Sequence, residues 1–103
     1  MSNRQKSYSV NVHEEAKSML FSHIQFLANV NISAARKLRT TLYNAMKSLA
    51  EMPYRCPIYR TQRTDNTYRQ LTIGRYMIIF SIDDERSIVQ IQYLLDSRRD
   101  NDI

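Results

Sequence analysis

The chain contains very little glycine, proline and cysteine. Gly74 is the only glycine, so the sequence has no glycine-rich loop of the kind that cradles nucleotide phosphates. The only prolines are Pro53 and Pro57, which leaves little material for flexible linkers. Cys56 is the only cysteine, so an intrachain disulfide is impossible and a thiolate metal site is implausible. We expect a single domain over residues 1–103 that uses no metal or cofactor.

Long apolar runs and catalytic constellations are also missing. No run approaches the length of a membrane span, and the first residues lack the apolar core of a signal peptide, so we expect a cytoplasmic protein with no membrane partner. His13 and His23 lie near no nucleophile motif, which argues against Ser-His-Asp or Cys-His catalysis. His23 falls within an apolar helical stripe, which is typical of a half-buried, hydrogen-bonded residue. The acidic run Asp83–Glu85 indicates a solvated turn.

The charge balance is basic. Fifteen Lys and Arg against ten Asp and Glu give a net charge of +5, with a pI near 9.6. For so short a chain this favours nucleic acid, an anionic surface or an acidic protein as partner. Solubility alone is the competing explanation.

Apolar periodicity predicts an α+β fold in the order β-α-α-β-β-β. The short connections make the last three strands an antiparallel meander, which the first strand joins. A helical hairpin should therefore pack on one face of a mainly antiparallel four-stranded sheet and leave the other face partly open for binding. The predicted elements are helices over 14–29 and from Asn31–Ser33 to Pro53, and strands over 8–12, 68–73, 76–82 and 87–95.

Two finer expectations concern the strands. The segment Ile58–Arg60 could pair briefly at a sheet edge. Alternation in the last strand places one set of side chains on a single face and Gln90 and Gln92 on the other. The set that should share a face is Val89, Ile91, Tyr93 and Leu95.

Basic residues cluster in two places. The second helix carries Arg36, Arg39, Tyr43 and Lys47 at spacings of three, four and four, which forms a basic ridge or, alternatively, a solvated flank. In the second half of the chain, every basic residue is an arginine, and tyrosines are interleaved with them. Arginine binds phosphate in a bidentate manner and stacks on bases, so this mixture suits RNA, or a protein interface almost as well.

Several segments resemble the RelE/ParE superfamily of type II toxins. They are the run Tyr68–Phe80, then Ile82–Asp83, Val89–Ile91 and Asp96–Asp100. The resemblance spans nearly the whole chain. It implies a βααβββ fold and a small cytoplasmic toxin that is neutralised by a cognate antitoxin lying across it.

The resemblance implies one of two activities. RelE-like members enter the ribosome and cleave mRNA without a metal, whereas ParE-like members poison DNA gyrase without cutting nucleic acid. For mRNA cleavage, the catalytic candidates are Arg69, Arg75 and Arg98. The candidates for nucleic-acid binding are Arg36, Arg39, Lys47 and Arg99.

Two positions depart from the pattern of the nucleases. Met77 follows Tyr76, where the nucleases often have a catalytic arginine, and Asp96 stands where they commonly have a histidine. We expect mRNA cleavage on the ribosome. Gyrase inhibition, or a member that only binds its antitoxin, remains an alternative.

Overall fold

The computed structural model describes residues 6–60 and 67–98 and confirms the α+β class. In chain order the elements are β1 (Ser9–Val12), α1 (Glu14–Ala28), α2 (Ile32–Ser48), a 3₁₀ turn (Pro53–Arg55), β2 (Ile58–Tyr59), β3 (Tyr68–Ile73), β4 (Tyr76–Asp83) and β5 (Ile88–Asp96). The strands form one sheet in the order β1-β5-β4-β3-β2. β1 is parallel to β5, and all other neighbours are antiparallel.

The sheet has five strands, so the predicted count of four is corrected. The additional strand is β2, in which Ile58 pairs with Arg69 and Tyr59 pairs with Tyr68. This is the brief edge pairing that the sequence allowed for this segment. The pairing counts as a strand because it gives β3 a hydrogen-bonded neighbour on its otherwise open side.

Both helices begin at side-chain caps. His13 Nδ1 accepts a hydrogen bond from the backbone N–H of Glu15 at 3.2 Å, and the side chain of Asn31 accepts one from Ala34 N at 2.9 Å. These bonds satisfy N–H groups that the first turn of a helix leaves without a partner. Only three residues separate α1 from α2, so the helices pack side by side as the predicted hairpin.

The main core lies between the helical hairpin and the sheet. Each fully buried Leu, Ile or Phe contributes about 1.5–3 kcal/mol relative to an exposed position. α2 supplies most of the helical side. The buried members are Tyr8, Ala16, Leu42, Met46, Leu49, Cys56, Ile78, Phe80, Val89, Ile91 and Leu94.

A β-bulge divides β5 between the two faces of the sheet. Ile79 pairs with Tyr93 but the next residue, Phe80, pairs with Ile91, so Gln92 is an extra residue in β5. Side chains alternate with a period of two, and one extra residue therefore exchanges the faces of all that follow. The predicted single face is wrong for this reason. Leu94 joins the main core, whereas Tyr93 and Leu95 lie on the opposite face.

The opposite face carries a smaller apolar cluster. Tyr68, Ile79 and Leu95 are buried in it, and Met77 and Tyr93 pack around them. β4 is therefore covered on both faces, as its continuous apolar run predicts. In the part of the chain that the structure describes, neither helix is long and apolar enough to span a membrane.

Phe80→Ala should lower the free energy of unfolding by about 3–5 kcal/mol, because it leaves a cavity in the main core. Urea denaturation at neutral pH measures the change. Phe21→Ala is the matched control, since the Phe21 side chain is 67% exposed, and it should change the value by about 0.5 kcal/mol or less. Equal losses from the two variants would contradict this core assignment.

Candidate functional site

Arg75 and Asp96 form an ion pair at one end of the sheet. Gly74, with φ of +60°, makes the tight turn that brings Arg75 against the end of β5. Arg75 Nε donates to the two Asp96 carboxylate oxygens at 3.0 and 3.1 Å, and Nη2 donates to Oδ2 at 2.6 Å. The Asp96 side chain is only 2% exposed. Both nitrogens on this edge of the guanidinium are therefore occupied by a neighbouring carboxylate.

The charges of this pair are stabilised by each other. Burial acts to raise the pKa of the Asp96 carboxyl, but hydrogen bonds from Arg75 and from the backbone N–H of Arg98 outweigh it, and the pKa lies below its usual value. The hydrogen bond to Asp96 in turn raises the pKa of Arg75. At neutral pH the site is an ionised pair with no net charge.

His23 lies beside this pair in a structural role. Its Nε2 is 3.1 Å from the carbonyl oxygen of Leu94, and its ring meets the ring of Tyr76 edge-on at 5.4 Å between centroids. The side chain is buried. The prediction that His23 is a buried, hydrogen-bonded residue is confirmed.

The third catalytic candidate, Arg98, lies in the turn after β5. Its backbone N–H donates to Asp96 Oδ1 at 2.9 Å, which places Arg98 at the same end of the sheet as Arg75. The residue is exposed to solvent. Arg99 falls outside the described residues.

Arg69 lies at the other end of β3. It pairs with Phe80, so its side chain belongs to the face that the helices cover. Arg69 Nη1 donates to the carbonyl oxygen of Cys56 at 2.7 Å, and the guanidinium lies 4.8 Å from the ring centroid of Tyr54. These contacts hold the 3₁₀ turn against the sheet. Burial raises the pKa of the Cys56 thiol, which makes it a packing residue and a poor nucleophile at neutral pH.

The structure separates the three catalytic candidates. Arg69 is the second residue of β3 and Arg75 follows the end of that strand. At about 3.3 Å per residue, the two backbones are roughly 15 Å apart. Arg75 and Arg98 share one end of the sheet, but the guanidinium of Arg75 is held by Asp96. Arg69 therefore lies apart from Arg75 and Arg98, which share one end of the sheet.

Asp83, Asp84 and Glu85 are exposed, as predicted for a solvated turn, and Asp84 also accepts hydrogen bonds from two tyrosines. Tyr8 Oη donates to Asp84 Oδ1 at 2.6 Å, and Tyr54 Oη donates to Oδ2. Lys6 Nζ donates to the backbone oxygen of Asp84 at 2.6 Å. Hydrogen bonds from Tyr54 and Tyr8 lower the pKa of Asp84. This cluster, which we name the Asp84 clamp, joins the N-terminal segment, the 3₁₀ turn and the β4–β5 turn.

No local pattern in the sequence could have revealed the Asp84 clamp. Tyr8 and Tyr54 are 76 and 30 residues from Asp84 along the chain. The clamp also continues to Arg69, because the same Tyr54 ring that bonds Asp84 lies under the Arg69 guanidinium. A cavity of about 140 Å³ beside this contact is lined by Tyr54, Thr67, Arg69 and Ile82.

The basic ridge predicted on α2 is present. Arg36, Arg39, Tyr43 and Lys47 are all exposed, and Lys47 Nζ lies 5.1 Å from the Tyr43 ring centroid. In the groove between α1 and α2, Arg39 borders an apolar cavity of about 150 Å³. Whether the ridge binds nucleic acid remains a prediction.

Comparison with known proteins places this geometry in a family. The model of the ParE toxin of the type II toxin–antitoxin system parDE matches residues 10–101, which is most of the chain. This chain belongs to the ParE toxin family. None of the curated proteins compared with it matches.

Three solved toxin–antitoxin structures have chains with this ParE-family fold. A chain of the chromosomal ParDE system of P. aeruginosa has a TM-score of 0.72 at 15% identity, over 88% of this chain and 97% of that one. The RelBE2 complex of Mycobacterium tuberculosis gives 0.62 at 20% identity, over 92% and 97%. The archaeal RelE–RelB complex of Pyrococcus horikoshii OT3 gives 0.58 at 16% identity, over 91% and 99%. At these identities the likeness shows the fold alone.

Asp96→Asn should make the free energy of unfolding of this ParE-family chain less dependent on pH. The folded-state pKa of Asp96 lies below the unfolded value of about 3.9. The ion pair therefore stabilises the fold above about pH 4, and this contribution is lost as pH falls through the folded-state pKa. Urea denaturation between about pH 7 and pH 3 measures the slope. Glu85→Gln, in an exposed turn, is the control and should leave the slope near that of the wild type.

Asp84→Asn should lower the pKa of Tyr8. The hydrogen bond to Asp84 raises the pKa of Tyr8 to about 12, and loss of the charged acceptor should move it towards about 10. Alkaline titration of tyrosinate absorbance measures the shift, with Tyr8→Phe identifying the step. Asp83→Asn is the control, because the Asp83 carboxylate contacts Arg86. An unchanged titration in Asp84→Asn would refute the Asp84 clamp.

Proposed function

We propose that this type II toxin inhibits DNA gyrase by binding it and does not cleave mRNA. The observation that carries the proposal is the Arg75–Asp96 ion pair. Stabilising a scissile phosphate requires arginine nitrogens that point at the developing charge with no competing partner. Here Nε and Nη2 of Arg75 already bond a buried carboxylate at 2.6–3.1 Å.

The arrangement around this pair supports the same reading. Arg69 is about 15 Å away along β3 and is held by the Cys56 carbonyl oxygen and the Tyr54 ring. Met77, at the position where the nucleases often have an arginine, packs in the apolar cluster on the opposite face of the sheet. Only Arg98 of the three catalytic candidates remains exposed without a described partner for its side chain. One such arginine is a weak basis for an active site.

The family match points the same way. The chain is matched by a model of ParE toxins, and ParE-like members of the superfamily were the gyrase inhibitors implied by the sequence resemblance. The similar solved structures are toxin–antitoxin complexes, so we include a cognate antitoxin as the partner that neutralises this toxin.

Ribosome-dependent mRNA cleavage is the second candidate. Two of the structurally similar chains come from RelBE2 and RelE–RelB complexes, whose shared fold supports either activity. Cleavage would depend mainly on Arg98, with metal-independent activation of the ribose 2′-OH on the ribosome. Arg98→Ala should then abolish toxicity.

Parallel assays separate the two candidates. The purified full-length chain should inhibit gyrase supercoiling and cause cleaved DNA complexes to accumulate, while mRNA in a purified translation reaction stays intact. Arg98→Ala should retain growth inhibition, like its control Arg86→Ala, which removes an equally exposed arginine from the β4–β5 turn. Site-specific mRNA cleavage with normal supercoiling would overturn the proposal in favour of the second candidate.

A further inference from the structure

α2 carries positive charge and no negative charge. Its seventeen residues, Ile32–Ser48, include four basic residues and not one Asp or Glu. The four are Arg36, Lys37, Arg39 and Lys47. Ion pairs between carboxylates and cations at i,i+4 spacing stabilise an exposed helix. α2 has no carboxylate and therefore lacks this stabilisation. Its charge is therefore available to a partner from outside the helix.

Three of these cations lie in one row. At 100° per residue, Arg36, Arg39 and Lys47 fall within about 80° of one another around the helix axis, with Tyr43 between them. The buried residues Ala35, Leu42 and Met46 lie on the adjoining arc of the helix, which begins about 20° beyond Arg39. The rise of about 1.5 Å per residue separates Arg36 from Lys47 by roughly 16 Å along a rigid helix.

Within residues 6–60 and 67–98, the row is not neutralised by an ion pair. Among the described residues, none of Arg36, Arg39 and Lys47 takes part in an ion pair, although Lys6, Lys17, Arg75 and Arg86 all do. All three are exposed. Lys47 Nζ instead lies 5.1 Å from the centroid of the Tyr43 ring, so it contacts its own helix by a cation–π interaction.

We propose that this row binds the phosphate backbone of duplex DNA. A span of roughly 16 Å on a straight helix can reach phosphates on both sides of a major groove about 12 Å wide. Binding of unstacked single strands relies on aromatic rings that are open for base stacking. Tyr43 is the aromatic residue of this row, and Lys47 lies over its ring. The chemistry of the row therefore favours backbone phosphates over bases.

An acidic protein segment is the competing partner. The groove beside Arg39 is lined by Leu20, Phe21 and Ile24, so an amphipathic acidic helix could use Arg39 as a flank. The row, however, extends eight residues beyond Arg39 to Lys47, about 12 Å along the axis. A row of this length suits a polymer with regularly spaced charges better than it suits a short peptide bound in the groove beside Arg39.

This inference goes beyond the proposed function, because DNA binding by the toxin alone requires neither gyrase nor an antitoxin. The test uses the purified full-length chain and a fluorescent duplex, with the dissociation constant measured over a range of salt concentrations. Each phosphate contact contributes about 0.9 to the slope of log K against log salt. The triple variant Arg36→Gln/Arg39→Gln/Lys47→Gln should lower that slope by about 2–3.

The controls address charge, fold and ligand class. Arg86→Gln removes an exposed arginine from the β4–β5 turn and should leave the slope unchanged, while circular dichroism reports whether the triple variant keeps its helices. Single-stranded RNA and polyglutamate serve as competitors. A folded triple variant with the wild-type slope would overturn the inference, as would tighter binding of RNA or polyglutamate than of the duplex. Loss of DNA binding with intact gyrase inhibition would leave the proposed function standing.

Discussion

The β-bulge between β4 and β5 is the constraint on which the rest of the structure depends. One extra residue, Gln92, turns the last part of β5 over, so that Leu94 packs under the helices while Leu95 packs on the opposite face. The end of β5 is thereby buried on both sides. The same change of face places Asp96 opposite Tyr76 and beside His23. A carboxylate buried there remains charged only if a cation pairs with it.

The burial of Asp96 determines what Arg75 can do. An unpaired buried carboxylate would cost several kcal/mol, so the guanidinium next to it is held as a counter-ion. In this state Arg75 acts as the counter-ion of Asp96 at the end of β5. Arg75 and Arg69 hold turns in place, whereas no described ion pair includes a cation of α2.

The Asp84 clamp shows a similar use of charge on the other side of the molecule. At this turn the Asp84 carboxylate accepts hydrogen bonds from two phenols, and the Asp84 backbone oxygen accepts one from an ammonium group. The donors come from segments far from Asp84 in the chain. Because Tyr54 belongs both to this clamp and to the contact with Arg69, the β4–β5 turn and the start of β3 are mechanically linked. Polar contacts therefore join three separate segments at this end of the sheet.

Several features could be read from the chain alone because they depend on neighbours in sequence. The helices follow from apolar spacing and from the caps at His13 and Asn31, and the meander follows from its short turns. The basic ridge on α2 follows from the helical period in the same way. The resemblance to the toxin superfamily came from residue motifs, and the family match now supports it. The motifs are Tyr68–Phe80, Ile82–Asp83, Val89–Ile91 and Asp96–Asp100.

Tertiary structure alone decided which charged groups are free. A one-residue bulge leaves no mark in the composition of β5, yet it moves Tyr93 and Leu95 to the opposite face and buries Asp96. The partners of Arg75, Arg69 and Asp84 lie 13 to 78 residues away, so no local pattern encodes them. The sequence by itself determined the elements and their order. An arginine is open to a phosphate only where no carboxylate or carbonyl of the same chain occupies its guanidinium nitrogens. The tertiary structure alone determines which arginines are occupied in this way.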